Sequence, residues 1–308
     1  MLAAFVLGCS AAPRATDPQA AGPFVVVLGI AQDGGFPQAG CRGEQCRRGW
    51  EDLSLQRHVA SLALVDPESK QRWLIDVTPD FPEQLAMLDR IAPPEGRAPA
   101  LSAIFLTHAH IGHYTGLMFL GREVLGTASL PVYAMPRMFE FIENNGPWNQ
   151  LVRLHNVELR PLNNDQPVTL TTRISITPIL VPHRDEYSET VGFIVRGPRR
   201  SVLYIPDIDK WERWDRRLED VLASVDQAFI DGTFYADGEL PGRNMTEIPH
   251  PFIQETMARL ATASAAERNK VWFIHLNQSN PAMLPGTART RIERSGFHVA
   301  DEGMKSPL

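Results

Sequence analysis

Residues 101–116 read LSAIFLTHAHIGHYTG, and they decide the fold. The apolar run at 101–106 predicts a buried strand that delivers His108, His110 and His113 into the turn before a helix. Strand side chains alternate with a period of two, so His108 and His110 share one side of the extended segment. His113 follows where the chain turns and approaches from another direction. Imidazole is the commonest protein ligand for zinc and also serves iron. Three imidazoles in this spacing predict a metal site in preference to solvated turn residues.

Working outward, the same arrangement recurs. Residues 24–30, FVVVLGI, read as a strand that opens into the Gly- and Pro-rich loop 31–40 carrying Asp33. Residues 58–66 and 72–77 read as paired strands about a polar loop. Asp76, at the end of the second, is suited to orient a metal-bound histidine or to act as a turn aspartate. The run 173–181 stops at Pro182-His183, the run 202–205 at Pro206-Asp207, and the run 271–274 at His275. Residues at one end of the sheets in a layered α/β protein converge on one crevice. The ordered set therefore predicts a single site built from His108, His110, His113, His183, Asp207 and His275. Helices are expected at 81–91, 114–125, 136–144, 211–223 and 286–295, with further short strands at 130–134, 191–195, 228–230 and 297–300. Trp211 and Trp214 are at helical spacing and read as packing. His250 lies in the loop Ile248-Pro249-His250-Pro251.

Composition narrows the class. The chain has 308 residues, 44% of them apolar, enough for a sizeable core. Thirty Lys+Arg against 36 Asp+Glu leave a net charge of −6, with no basic block to track a phosphate backbone, so nucleic acid is not the expected partner. No apolar stretch is long enough for a spanning helix. Residues 6–10, VLGCS, resemble a bacterial lipobox, although a positive n-region is missing, and residues 11–23, AAPRATDPQAAGP, suit a flexible tether. The expectation is an exported, periplasmic or membrane-anchored lipoprotein whose only membrane contact is a lipid at Cys9; a cytoplasmic protein with a frayed N-terminus is the alternative. Cys41 and Cys46, spaced C-x4-C, cannot complete a tetrahedral zinc site alone; they predict a local disulfide after export and free thiols in the cytosol.

The order of these motifs resembles the metallo-β-lactamase superfamily, which implies an α/β fold, a four-layer αββα sandwich with metal at the sheet edges. Residues 24–304 are similar to its PqqB branch, named for pyrroloquinoline quinone biosynthesis. That closer likeness is carried by Leu28-Gly29 with Gly34-Gly35-Phe36-Pro37-Gln38, by Asp231-Gly232-Thr233-Phe234, by Phe273-Ile274-His275-Leu276-Asn277 with Asn280-Pro281, and by Asp301-Glu302-Gly303-Met304. The division implied is a signal and tether at 1–23 and one metallo-β-lactamase-fold domain at 24–308. By position, His108, His110 and His183 would form one metal site, and His113, Asp207 and His275 a second, with Asp207 able to bridge.

Two departures matter. The superfamily cluster is H-x-H-x-D-H, and here Gly112 stands at the aspartate position, so the second site loses a carboxylate. Asp33 is the expected replacement, ahead of Asp185 and Glu186. PqqB usually has a degenerate cluster, whereas this chain keeps all three histidines, and the cysteine-rich loop that holds a structural zinc there is reduced to Cys41 and Cys46. The expected function is hydrolysis of a small-molecule substrate by metal-bound hydroxide with one or two zinc ions, since zinc lowers the pKa of bound water to about 7. Asp33 or Asp207 would hold or deprotonate the water, and His250 would supply a proton or bind the leaving group. The alternatives are the iron-dependent hydroxylation implied by PqqB and a metal-binding protein without turnover.

Overall fold

The computed structural model describes residues 22–96 and 98–308. The lipobox-like stretch with Cys9 and most of the tether lie outside them. One sheet contains β1 (Phe24–Gly29), β2 (Ser61–Asp66), β3 (Gln71–Ile75), β4 (Ala103–Phe105), β5 (Leu130–Ala134) and β6 (Val157–Pro161), in sequence order. The second contains β7 (Val168–Thr169), β8 (Ser175–Leu180), β9 (Val191–Arg196), β10 (Ser201–Ile205), β11 (Gln227–Asp231), β12 (Val271–Ile274) and β13 (His298–Val299), also in order. Strand β14 (Lys305–Pro307) returns to pair antiparallel with β1. In each sheet a run of parallel strands, β3 to β6 and β10 to β13, points its C-terminal ends the same way.

The period of two in the sequence explains the layering. Val25, Val27, Leu62, Leu64, Trp73, Ile75 and Phe105 face the second sheet, where they pack with Ile176, Phe193 and Val195. Their neighbours Val26, Leu28, Ala63, Val65, Leu74 and Ile104 face the other way, onto Phe81, Leu88, Leu117, Met138 and Ile142 from the covering helices. Nearly every position of these central strands is apolar because both faces are covered. Phe105 stacks on Tyr133 within its sheet at 4.6 Å and meets Phe193 across the sandwich at 6.0 Å. With helices such as Leu218–Ala223 and Ile253–Arg259 beside the second sheet, the architecture is the expected αββα sandwich.

Two expected helices are corrected. At 114–125, one α-helical turn (Ile111–Tyr114) passes into a 3-10 segment (Thr115–Leu120). The Gly116 amide donates to Val77 O at 3.0 Å, so it leaves the helical ladder to tie the segment down. A Cβ at Gly116 would stand 2.1 Å from Thr78 O, which is why the residue is glycine. At 211–223, a 3-10 turn (Trp211–Arg213) is separated from the helix Leu218–Ala223. Both indoles are buried and partnered, Trp211 Nε1 donating to Thr256 Oγ1 and Trp214 Nε1 to Leu180 O, each at 2.8 Å. Satisfying both bends the chain away from a continuous helix. Cys41 and Cys46 are joined in a disulfide. Among the described residues no helix is long and apolar enough to cross a membrane.

Gly116→Ala is expected to lower unfolding stability by about 2 kcal/mol through overpacking against backbone. The check is the midpoint of a denaturant titration, which should fall with the slope unchanged.

Candidate metal centre

The strand ends deliver the donors. Beyond β4 the chain presents His108, His110 and His113; His183 follows β8, Asp207 follows β10, Asp231 ends β11, and His275 follows β12. Asp33 comes from the loop after β1 and His250 from the loop after β11. The six expected ligands converge, and Asp33 and His250 join them. Three groups have donor atoms within 4.8 Å of one another: His108, His110, His183 and Asp207; Asp33, His113 and His275; and Asp207, Asp231 and His250.

Asp207 lies at the centre. Its Oδ2 is 3.2 Å from His183 Nε2, 3.4 Å from His108 Nε2, and 3.9 Å from both His110 Nδ1 and His275 Nε2. His108 Nε2 and His110 Nδ1 face each other at 2.9 Å, close enough for one cation to engage both lone pairs. Burial opposes ionisation of Asp207, but His183, His250 and His275 outweigh it and hold the carboxyl well below its usual range. Burial likewise opposes charge on His183, and Asp207 and Asp209 overcome it, raising that imidazole to about 9.

Four of the candidate ligand rings are fixed through their other nitrogen. His113 Nδ1 donates to Asp76 Oδ2 at 2.8 Å, so Asp76 takes the orienting role expected from its position. Asp76 also accepts from the amide and hydroxyl of Thr107, whose oxygen stands 3.0 Å from His108 Nδ1. Asp209 Oδ1 holds His183 Nδ1 at 3.2 Å, and Thr233 Oγ1 lies 3.0 Å from His275 Nδ1. The consequence is visible at Nε2 of His113, His183 and His275: all three are buried and none makes a well-formed hydrogen bond, His183 Nε2 facing only the Asp207 carboxylate at 3.2 Å. Buried polar atoms are rarely left so, and three of them aimed inward, with a buried carboxylate, fit a cation. Asp76 and His275 both have left-handed backbone at φ 63°, strain that the surrounding bonds impose at the site itself.

The remaining candidates separate clearly. His250 Nδ1 is 2.9 Å from Asp231 Oδ2 and 3.1 Å from Asp207 Oδ1. Burial opposes its charge, but those two carboxylates raise its pKa well above the ordinary value. Asp185 does not join the donors: it pairs with Arg137 at the surface at 3.2 Å. Glu186 stands 3.4 Å from His110 Nε2 and does not reach His113 and His275. Sequence reasoning missed Asp209, Asp231 and Thr233 as site residues; the signal available was an acidic or hydroxyl residue within four positions of a strand end. A cavity of about 700 Å³ opens beside the donors, lined by Asp33, Ile111, Arg184, Phe234, Arg243 and His250 among others.

The family described as "Beta-lactamase superfamily domain" matches residues 71–276. The chain belongs to the beta-lactamase superfamily. Over most of its length the chain is similar to PqqB. Coenzyme PQQ synthesis protein B of Xanthomonas axonopodis pv. citri is 29% identical over 92% of this chain and 99% of its own length. The same protein of a Methylobacterium strain is 25% identical over 92% and 99%. The Zn(2+)-bound crystal structure of PqqB from Methylobacterium extorquens superposes with a TM-score of 0.79 at 24% identity, covering 92% of this chain and all of that one. A diphosphatase of the PhnP family has a TM-score of 0.63 at 20% identity over 93% and 97%.

Asp76→Ala should leave His113 unoriented and weaken metal binding at its site by about 10- to 100-fold. The check is competition against a chromophoric chelator. Metal loading at pH 7 should also release protons, because His183 at about 9 must become neutral to coordinate. Calorimetry in buffers of different ionisation enthalpy reads that release.

Proposed function

We propose that this protein is a metal-dependent hydrolase acting on a small molecule, with zinc as its metal. The observation that carries the reading is the meeting of two donor sets at one carboxylate oxygen, Asp207 Oδ2. His108, His110, His183 and Asp207 would hold one ion; His113, His275 and the same Asp207 would contribute to a second. When bound, such ions supply Lewis acidity and bring the pKa of a water to about 7. All donors are nitrogen or oxygen, a set that suits zinc in hydrolysis.

The chain's own residues do the rest. With Nδ1 engaged by Asp231 and Asp207, the His250 ring keeps Nε2 for a substrate in the cavity, where it can protonate a leaving group. Asp207 fixes the ligands and does not need to act as a base. The buried side chains of Phe234 and Ile248 form an apolar wall that limits water around the reacting bond. Arg184 and Arg243 line the same cavity and favour a substrate that carries an anionic group. The lipobox-like N-terminus and the Cys41–Cys46 disulfide together support work outside the cytoplasm, tethered through Cys9.

The likeness to coenzyme PQQ synthesis protein B over most of the chain favours a second reading, an iron-dependent oxidation in cofactor biosynthesis. The donor set also suits non-haem iron. The experiment that separates the two loads metal-stripped protein with zinc or with ferrous iron and assays ester, lactone and phosphodiester substrates with and without dioxygen. Hydrolysis is expected with zinc, independent of dioxygen and abolished in His110→Ala. Turnover that needs iron and dioxygen would favour the second reading, and a folded, loaded protein without any turnover would favour a binding role. Among hydrolysed substrates, Arg243→Ala should raise KM for an anionic ester at least about tenfold more than for its neutral analogue, what losing a charge-assisted hydrogen bond costs.

A further inference from the structure

The second donor set is short of a ligand, and the space beside it is already filled. His113 Nε2 and His275 Nε2 are buried, unpartnered and close together, with ring centroids 5.2 Å apart. The nearest carboxylate of their own group is Asp33, whose Oδ1 is 3.7 Å from His113 Nε2. Asp33 sits against Gly112. The Gly112 amide donates to Asp33 Oδ1 at 3.1 Å, and a Cβ built on Gly112 would lie 2.4 Å from that oxygen and 2.5 Å from Asp33 Cα. Backbone cannot yield as a flexible side-chain tip can, so residue 112 and Asp33 compete for one volume. Gly112 is also the position where the superfamily's histidine motif carries its aspartate.

The loop that brings Asp33 there is tied on both sides. Ala31 bridges to Val59 and to Leu276, Gln32 N donates to Leu276 O at 2.8 Å, and Asn277 Nδ2 donates to the Gln32 side chain. Phe36 and Arg57 exchange backbone hydrogen bonds at 2.8 Å each. Asp33 is therefore delivered from between β2 and β12 by backbone pairing. Its side chain is 24% exposed and faces the cavity.

We propose that Asp33 is the carboxylate ligand of the second metal site, moved from the histidine segment to the loop after β1, and that residue 112 is glycine because any side chain there would displace it. The inference rests on the two-site reading above. It assigns Asp33 to holding a divalent cation and removes it from the role of general base.

The test uses the whole protein, stripped of metal and titrated with Co(II) alone, reading equivalents bound by chelator competition and visible absorption. Wild type is expected to bind two ions. Asp33→Asn, nearly isosteric, and Asp33→Ala should keep one ion and bind the other at least about tenfold more weakly. Gly112→Ala deletes no ligand, yet should show the same selective loss. Retention of the first ion and an unchanged circular dichroism spectrum establish that each variant is folded; if Gly112→Ala does not fold, Asp33→Asn decides. Two tightly held ions in Asp33→Asn would overturn the proposal while leaving the two-site reading intact. Two such ions in Gly112→Ala would overturn its steric half. Fewer than two in wild type would overturn the two-site reading and this proposal with it.

Discussion

A carboxylate buried at the join of two sheets is the constraint on which the site depends. Asp207 is 2% exposed, and an isolated charge at that depth would be prohibitively costly. The fold answers by aiming four imidazole nitrogens at one of its oxygens and a fifth imidazole, His250, at the other. Those imidazoles come from four different segments, His108 and His110 sharing one, so no segment can shift without uncovering the charge. The positions are then locked from outside by Asp76, Asp209, Asp231 and the hydroxyls of Thr107 and Thr233. Breaking such a network by removing one partner leaves an uncompensated charge, typically several kcal/mol of penalty.

The parallel runs of the two sheets are what make convergence possible. Their C-terminal ends open on the same edge, and the turn directly after each strand carries the donor. Left-handed backbone at Asp76 and His275 re-aims those two side chains at the moment the strand ends. Rigid strands behind and short turns in front give a site that is preorganised, with a cavity beside it that the loops at 32–38, 184 and 234–250 line.

Much of this was legible because the signals are local. Apolar runs ending in His or Asp pointed to the side chains that converge, and the helices Phe81–Ile91 and Pro136–Asn144 and the strand Leu130–Ala134 stand at their expected bounds. What escaped was set by tertiary contacts. The segment after His113 gives up helical hydrogen bonds to Val77, and the two indoles at 211 and 214 bend their segment to reach Thr256 and Leu180. The orienting residues Asp209 and Thr233 look like ordinary turn residues until the rings they hold are in place. Asp33 was readable as a candidate from its loop, but its contact with Gly112, 79 positions away, is not a property of either stretch alone.

The most direct measurement is a crystal structure of the zinc-loaded protein with anomalous scattering recorded on both sides of the zinc edge. Two peaks about 3.5–4 Å apart, flanking Asp207, would be the predicted result. A single peak away from Asp207, or none in protein shown to carry zinc in solution, would contradict a centre built around that shared carboxylate.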